Sequence, residues 1–402
     1  MPSAAALTPI AVRQMGIASA LGAELSSTWE HLERGASGVS FLPGFAHRGR
    51  ELPVGRCSTE ALGQALRRAG RTFQEDEPRV LSLSECVAAQ ALSAERARPE
   101  CLGLYLGSSL TTSDFVAEQY TRYFAGKRPS PSVLIEGMSC YIASEIARRF
   151  GIEGPVQTVS TSCTSSLQAL LAAARDLRLG HVDQALVIGV DSCFAPGILD
   201  SWVSARVLSF LAPPESACRP FCATRRGLVY AEGAAAVLLT RATGAEGELQ
   251  ILGGAVRHDP KSHLLVSRDA LVSCMRAALG ESAVDAGDLD LVQASAAGSP
   301  HVDQIEAQAL AQLIPREIPV QAAKSFTGSA LGAAGLINVV FTLLAMRERA
   351  LPANINVFEK DSEIEPLIQC YYSARELPSS SVALVNCFGF GGTNASVVVA
   401  RR

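Results

Sequence analysis

Short runs dominated by Val, Leu, Ile and Ala recur along the chain, and each closes in small or polar residues. They fall at 101–107, 156–161, 185–190 and 234–239, then at 249–255, 289–294, 320–323, 382–386 and 395–400. Apolar runs of this kind without alternation predict strands covered on both faces. Between them lie longer stretches with helical spacing, such as 166–177 and 331–346. The second is broken only by Asn338 and Thr342 and stops at Arg347. It falls short of the roughly 20 residues a membrane span needs and predicts a buried core helix. Strands alternating with helices predict an α/β architecture with buried, largely parallel sheets.

The pattern contains an internal echo. Residues 156–160 lead through a small-residue turn into helix 166–177, and residues 320–324 lead through another into 331–346. A duplicated unit is expected, with its seam in the polar stretch 241–248, which divides the chain into 1–245 and 246–402. Composition supports large cores. Of the 402 residues, 48% are hydrophobic, 18% charged and 6% aromatic, so aliphatic and small side chains must fill the interior. A net charge of -4 argues against a nucleic-acid partner. The 11 cysteines include no Cys-x-x-Cys pair, so no metal site is expected, and free thiols in a reducing cytoplasm are. Residues 1–7 lack a basic region ahead of an apolar stretch, so no signal peptide is expected.

One cysteine stands where chemistry is possible. In Val159-Ser160-Thr161-Ser162-Cys163-Thr164-Ser165-Ser166-Leu167 a β-rich run stops in small polar residues and an apolar helix begins. Cys163 is therefore expected at a helix N-terminus. There the dipole would lower its pKa, and free N–H groups could receive an oxyanion. The alternative is a buried structural cysteine, the role expected of the other ten.

Further segments bear on that choice. They are Gly16-Ile17-Ala18-Ser19-Ala20-Leu21-Gly22 with Trp29 and Gly35-Ala36-Ser37-Gly38, then Arg219-Pro220-Phe221 with Glu232-Gly233-Ala234. Later come Lys324-Ser325-Phe326-Thr327-Gly328 with Gly332-Ala333-Ala334-Gly335, and Asn386-Cys387-Phe388-Gly389-Phe390-Gly391-Gly392-Thr393-Asn394-Ala395. In this order they resemble the motifs of the β-ketoacyl-acyl-carrier-protein synthases across essentially the whole chain. The resemblance implies a thiolase-like fold: two similar α/β halves with buried mixed sheets in five layers. It implies that Cys163 is the acyl-accepting nucleophile. The N–H of Phe390, on a gating loop with Gly389 and Gly391, would complete the oxyanion hole. Lys324 would order the polar network, as a base or tied to Glu232 or a backbone carbonyl, with Glu232 a structural acid of that network.

The departures matter as much. The family's first histidine opens a His-Gly-Thr-Gly-Thr-Pro-like strip, which here reads Ser295-Ala296-Ala297-Gly298-Ser299-Pro300, with Asp303 and Glu306 behind it. The second histidine normally follows Lys-Ser-x-x-Gly, where this chain has Ser329. Serine donates a hydrogen bond but is no general base near neutral pH. Acyl transfer onto Cys163 should survive, while decarboxylative condensation should be weak or replaced. Of the six histidines, His258 and His263 lie in a loop that approaches the tunnel mouth in related enzymes, where His263 aligns best with a histidine, and His301 is expected on the far side of its loop.

The resemblance also implies partners. The substrate would be the acyl-phosphopantetheine of an acyl carrier protein, with no covalent cofactor. Ser299 keeps one contact to that arm, and Ala297 loses one. Arg67, Arg68, Lys127, Arg128 and Arg206 stand where basic rim residues would meet an acidic carrier. A dimer is expected, with itself or with another ketosynthase-like chain. Three readings follow: an acyltransferase of polyketide or fatty-acid-like biosynthesis with an altered second step, a non-catalytic partner resembling chain-length factors, and an ordinary condensing enzyme rescued by His263 or Lys324. Chain-length factors typically lose the cysteine that is kept here, which places the acyltransferase first.

Overall fold

The computed structural model describes residues 7–74, 76–93, 98–261 and 266–402. The first half supplies β1 (Ile10–Ala18), β2 (Leu102–Gly107), β3 (Val156–Val159), β4 (Gln184–Asp191) and β5 (Gly233–Arg241), laid side by side as β1-β5-β4-β2-β3. The second half supplies β6 (Leu249–His258), β7 (Leu291–Gln293), β8 (Pro319–Gln321), β9 (Ser381–Phe388) and β10 (Thr393–Arg401), laid as β6-β10-β9-β7-β8. Both sets therefore repeat one order: first, fifth, fourth, second, third. They join where Ile10 and Ala11 of β1 pair with Ile251 and Gln250 of β6. A short strand, Gln369–Cys370, lies outside β8.

The sheets are mixed rather than largely parallel. β5 runs antiparallel to both β1 and β4, and β10 antiparallel to both β6 and β9. Only the outer ladders, β4–β2–β3 and β9–β7–β8, are parallel. A run covered on both faces looks the same in either direction, so apolar runs alone do not reveal strand sense. The apolar pattern also misses the antiparallel pair Val39–His47 and Arg50–Gly55, whose outer positions are exposed and carry Pro43 and Gly44.

Helices complete five layers. On one outer side α1 (Arg79–Ala91) covers β1, β5 and β4. Two helices lie between the sheets of the two halves: α2 (Ser165–Leu179) on β4 and β2, and α6 (Ala334–Glu348) on β9, β10 and β5. On the other outer side α4 (Arg268–Ser282) covers β6 and β10, with α5 (Pro300–Leu313) beside it. The short α3 (Pro196–Ser204) follows β4. The apolar stretch Leu331–Glu348 has mean hydropathy 1.4 and is 89% buried inside the protein, as the middle layer of this stack.

Small residues let the two central helices meet at their N-termini. The Leu336 N–H donates to Ser166 Oγ at 3.0 Å. A Cβ on Gly335 would lie 2.6 Å from Leu167 Cγ, so only glycine fits without displacing a core side chain. Beside this crossing, Asp191 at the end of β4 accepts the Gly332 N–H at 2.6 Å and the hydroxyls of Ser108 and Ser109 at 2.7 and 2.5 Å. One buried carboxylate thus clamps the loops of both halves, and its burial holds its pKa above the usual carboxylate range. Gly335→Ala is expected to destabilise the protein by about 1–3 kcal/mol. Urea unfolding reads this directly, and an unchanged midpoint would show that the crossing yields without strain.

Candidate active site

The candidate nucleophile sits where the central layer begins. β3 stops at Val159, and Ser162 adopts a left-handed φ of 58°, a sharp bend for a non-glycine residue. Ser165 Oγ secures the bend, accepting the Thr161 N–H at 2.9 Å and donating to the Ser162 carbonyl at 2.6 Å. Cys163 therefore stands one residue before Thr164, the N-cap of α2. Ser162 Oγ lies 3.9 Å from the Cys163 sulfur, and the Phe390 N–H is among the groups that favour its thiolate.

The electrostatic balance differs from the sequence expectation. Burial pushes the Cys163 thiol above its ordinary pKa, whereas the Lys324 charge, the Ser162 hydroxyl and the Phe390 N–H pull it down. Removing a thiolate from water outweighs what the helix terminus and these donors return. The approach of Phe390 depends on its neighbour. A Cβ on Gly389 would come within 3.0 Å of the Cys163 nitrogen and 3.2 Å of its Cβ, so only glycine brings that loop against the thiol. Gly391 has φ +87°, a conformation that favours glycine.

A second knot forms around Ser295. Lys324 Nζ donates to the Ser295 carbonyl at 2.5 Å and lies 3.4 Å from its hydroxyl, which also accepts the Phe388 N–H at 3.0 Å. The same hydroxyl hydrogen-bonds the Cys387 side chain, and Cys387 Sγ donates to the Cys163 carbonyl at 3.1 Å. This relay joins Lys324 to the main chain of Cys163. Glu306 Oε1 accepts the Ser295 N–H at 2.8 Å, and its Oε2 has no partner among the described residues. Burial pushes the Glu306 pKa up to about 7. Asp303 holds the strip that follows, accepting the N–H groups of Ala297, Gly298 and Phe221 at 3.1, 3.0 and 3.1 Å.

Other expected residues fall in different places. Lys324 is tied to the Ser295 carbonyl and not to Glu232. Glu232, the residue before β5, instead forms a buried ion pair with Arg79 of α1 at 2.8 Å and accepts the Ser192 hydroxyl at 2.7 Å. Ser329 is buried beside Tyr230, its backbone bonded to Val229 and Ala231 at 2.8 and 3.0 Å. Ser299 caps α5, its hydroxyl accepting the Val302 N–H at 3.4 Å. Arg67, Lys127, Arg128 and Arg206 are exposed, and Arg68 is exposed but bonded to Glu24 at 2.7 Å. Arg206 follows α3, whose Trp202 ring packs on Phe390. His263 lies outside the described residues. His301 is exposed at the start of α5, and His258 is exposed at the end of β6, opposite Thr393.

Three contributors were not read as such from the sequence. Glu306 served only to fix the register, although Ile305, Ala307 and Leu310 around it mark a buried face. Cys387 hid inside a glycine-rich motif. Trp202, one of two tryptophans, had no motif to carry it.

Comparison with known proteins agrees with this architecture. The family described as "Beta-ketoacyl synthase, N-terminal domain" matches residues 7–245, and "Beta-ketoacyl synthase, C-terminal domain" matches residues 249–358. A 3-oxoacyl-[acyl-carrier-protein] synthase 2 of Rhizobium meliloti is 31% identical over 314 residues, covering 74% of each protein. Among solved structures, a type II PKS acyl-carrier protein in complex with its ketosynthase bound to the hexaketide matches with TM-score 0.87 at 21% identity, over 98% of this chain and 99% of that one. The ishigamide ketosynthase/chain length factor matches equally, with TM-score 0.87 at 21% identity over 99% and 100%.

The charge of Lys324 favours the Cys163 thiolate, so its removal should move the thiol's titration to higher pH. Iodoacetamide alkylation of Cys163 at pH 8 should then be roughly 3- to 10-fold slower in Lys324→Met, the effect of half to one pKa unit. Mass spectrometry of the labelled peptide measures it, and an unchanged rate profile would remove Lys324 from the thiol's electrostatics.

Proposed function

The chain belongs to the β-ketoacyl synthase family, and we propose that within it this protein is an acyltransferase that takes an acyl group from an acyl carrier protein onto Cys163, in polyketide or fatty-acid-like biosynthesis. The observation that carries this reading is the loop 389–392, packed so closely on Cys163 that a Cβ on Gly389 would lie 3.0 Å from the Cys163 nitrogen, beside a thiol that also feels the Lys324 charge. A thiolate attacking a thioester carbonyl needs one fixed N–H at the developing oxyanion, and the loop 389–392 supplies it. In that step the Cys163 sulfur–acyl bond forms, the pantetheine sulfur–acyl bond breaks, and the Cys163 proton leaves with the released thiol.

The second step is where this chain departs from its relatives. With serine at 295 and 329, neither of the two positions read as the family's histidines carries an imidazole to assist decarboxylation of a malonyl group. The Ser295 hydroxyl is engaged by Phe388, Lys324 and Cys387 and is not poised to serve as a base. Removing a positioned acid or base commonly costs about 10²- to 10⁴-fold. Condensation should therefore be slow or give way to cyclisation or transfer to another nucleophile. The same engaged hydroxyl favours a second reading, a non-catalytic partner that shapes the product of an active ketosynthase. The repeated strand order supports treating 1–245 and 246–402 as two units.

An assembly of two ketosynthase-like chains fits the surface. β3 is an exposed edge strand, and nearby helices present Tyr120, Tyr123, Phe124, Leu134, Ile135 and Met138 to solvent. An unpaired edge with an apolar flank is a ready site for a second copy or a related chain.

Intact-mass spectrometry after incubation with acyl-carrier-protein thioesters tests the proposal. A mass gain matching the acyl group, lost in Cys163→Ala, is expected, together with malonyl decarboxylation at least 10²-fold slower than in a relative bearing both histidines. No acylation by any donor, alone or beside a candidate partner chain, would leave the non-catalytic reading.

A further inference from the structure

Aromatic residues make up only 6% of this chain, yet a continuous line of them ends at the candidate nucleophile. Phe194 meets Tyr230 edge to face at 5.5 Å, Tyr230 meets Trp202 at 5.6 Å, and Trp202 meets Phe390 at 5.6 Å with its plane inclined 65°. Phe390 follows Gly389, whose backbone packs directly against Cys163. The end of the line away from Cys163 is anchored. The Tyr230 hydroxyl donates to the Cys193 carbonyl at 2.8 Å and its ring is fully buried, while the Arg56 guanidinium covers Phe194 at 4.8 Å. Trp202 is only half-buried, so part of its indole remains free to meet a ligand.

We propose that Trp202 is a specificity-determining residue of the acyl site, and that the groups loaded on Cys163 are flat conjugated or aryl acyl chains rather than saturated ones. The inference rests on Cys163 being acylated, and adds the substrate class. A wall of fixed rings offers edges and faces to another π-system at little entropic cost, because a conjugated chain has few rotors to freeze. A saturated chain gains only dispersion there, and each of its methylenes must be ordered. Tyr230 and Phe390 hold the indole from two sides, so a Phe in its place would keep part of the wall and an Ala would remove it.

The test uses matched eight-carbon pantetheine thioesters, octanoyl and octa-2,4,6-trienoyl, offered to the full chain. The rate of acyl-Cys163 formation is read by intact mass, which also separates the acyl-enzyme from a conjugate adduct that retains pantetheine. The ratio of trienoyl to octanoyl rates should exceed that of Trp202→Ala by roughly tenfold, with Trp202→Phe between them. In Trp29→Phe protein, where Trp202 is the sole indole, trienoyl loading should quench the emission and octanoyl loading should not. Equal ratios in wild type and Trp202→Ala, or emission indifferent to the trienoyl group, would overturn the inference while leaving acyl transfer intact. Absence of any acyl-enzyme would overturn both.

Discussion

The meeting of α2 and α6 at their N-termini is the contact on which the candidate site depends. Each helix follows the third strand of its half, and each is buried between the two sheets. They can approach only because Gly335 offers no side chain to Leu167 and Ser166 Oγ takes the Leu336 N–H. Asp191 then binds loops from both halves with a full set of donors. The site is thus assembled by core packing rather than by a mobile loop. A substitution far from the thiol, at a central glycine, acts on the same geometry as one beside it.

The thiol's environment is a contest between burial and nearby positive potential. Burial alone would leave Cys163 protonated and inert. Lys324, the Ser162 hydroxyl and the Phe390 N–H oppose this, and the last of these doubles as the donor an oxyanion needs. Cys387 suffers the same burial, which pushes its thiol up to about 12 and suits it to donating a hydrogen bond to the Cys163 carbonyl. Two cysteines 224 positions apart are thus joined, Cys387 supporting the main chain of the candidate nucleophile.

The serines at 295 and 329 are not simple gaps. Ser295 accepts two donors and links Lys324 to Cys387, so its hydroxyl is held inside a hydrogen-bonded knot. Glu306, fully buried beneath it with one unpartnered oxygen, stays close to its titration point at neutral pH. Decarboxylation needs a group that stabilises new negative charge on the substrate. Here the polar atoms of that region are turned toward one another. This separates the demands of the two half-reactions, because thioester exchange uses the thiol and a backbone N–H, neither of which the serines touch.

The sequence by itself determined most of the large sheet's strands, the buried nature of 331–346, and the position of Cys163 between a strand and a helix. These are local properties, written in apolar runs and the small residues that close them. Through the strips 295–300 and 324–329, the resemblance also put serines where the family's histidines are expected. Strand direction needed the fold, because a strand covered on both faces carries no mark of its neighbour's sense. So did the partner of Lys324: Glu232 and a backbone carbonyl were both open to it in the linear text, and only the fold gave Glu232 to Arg79 and the Ser295 carbonyl to Lys324. The sign of the Cys163 shift was likewise decided by tertiary burial, which a helix terminus read from sequence does not contain. Long-range pairing and desolvation depend on which distant segments share the interior, and that is a property of the packed chain alone.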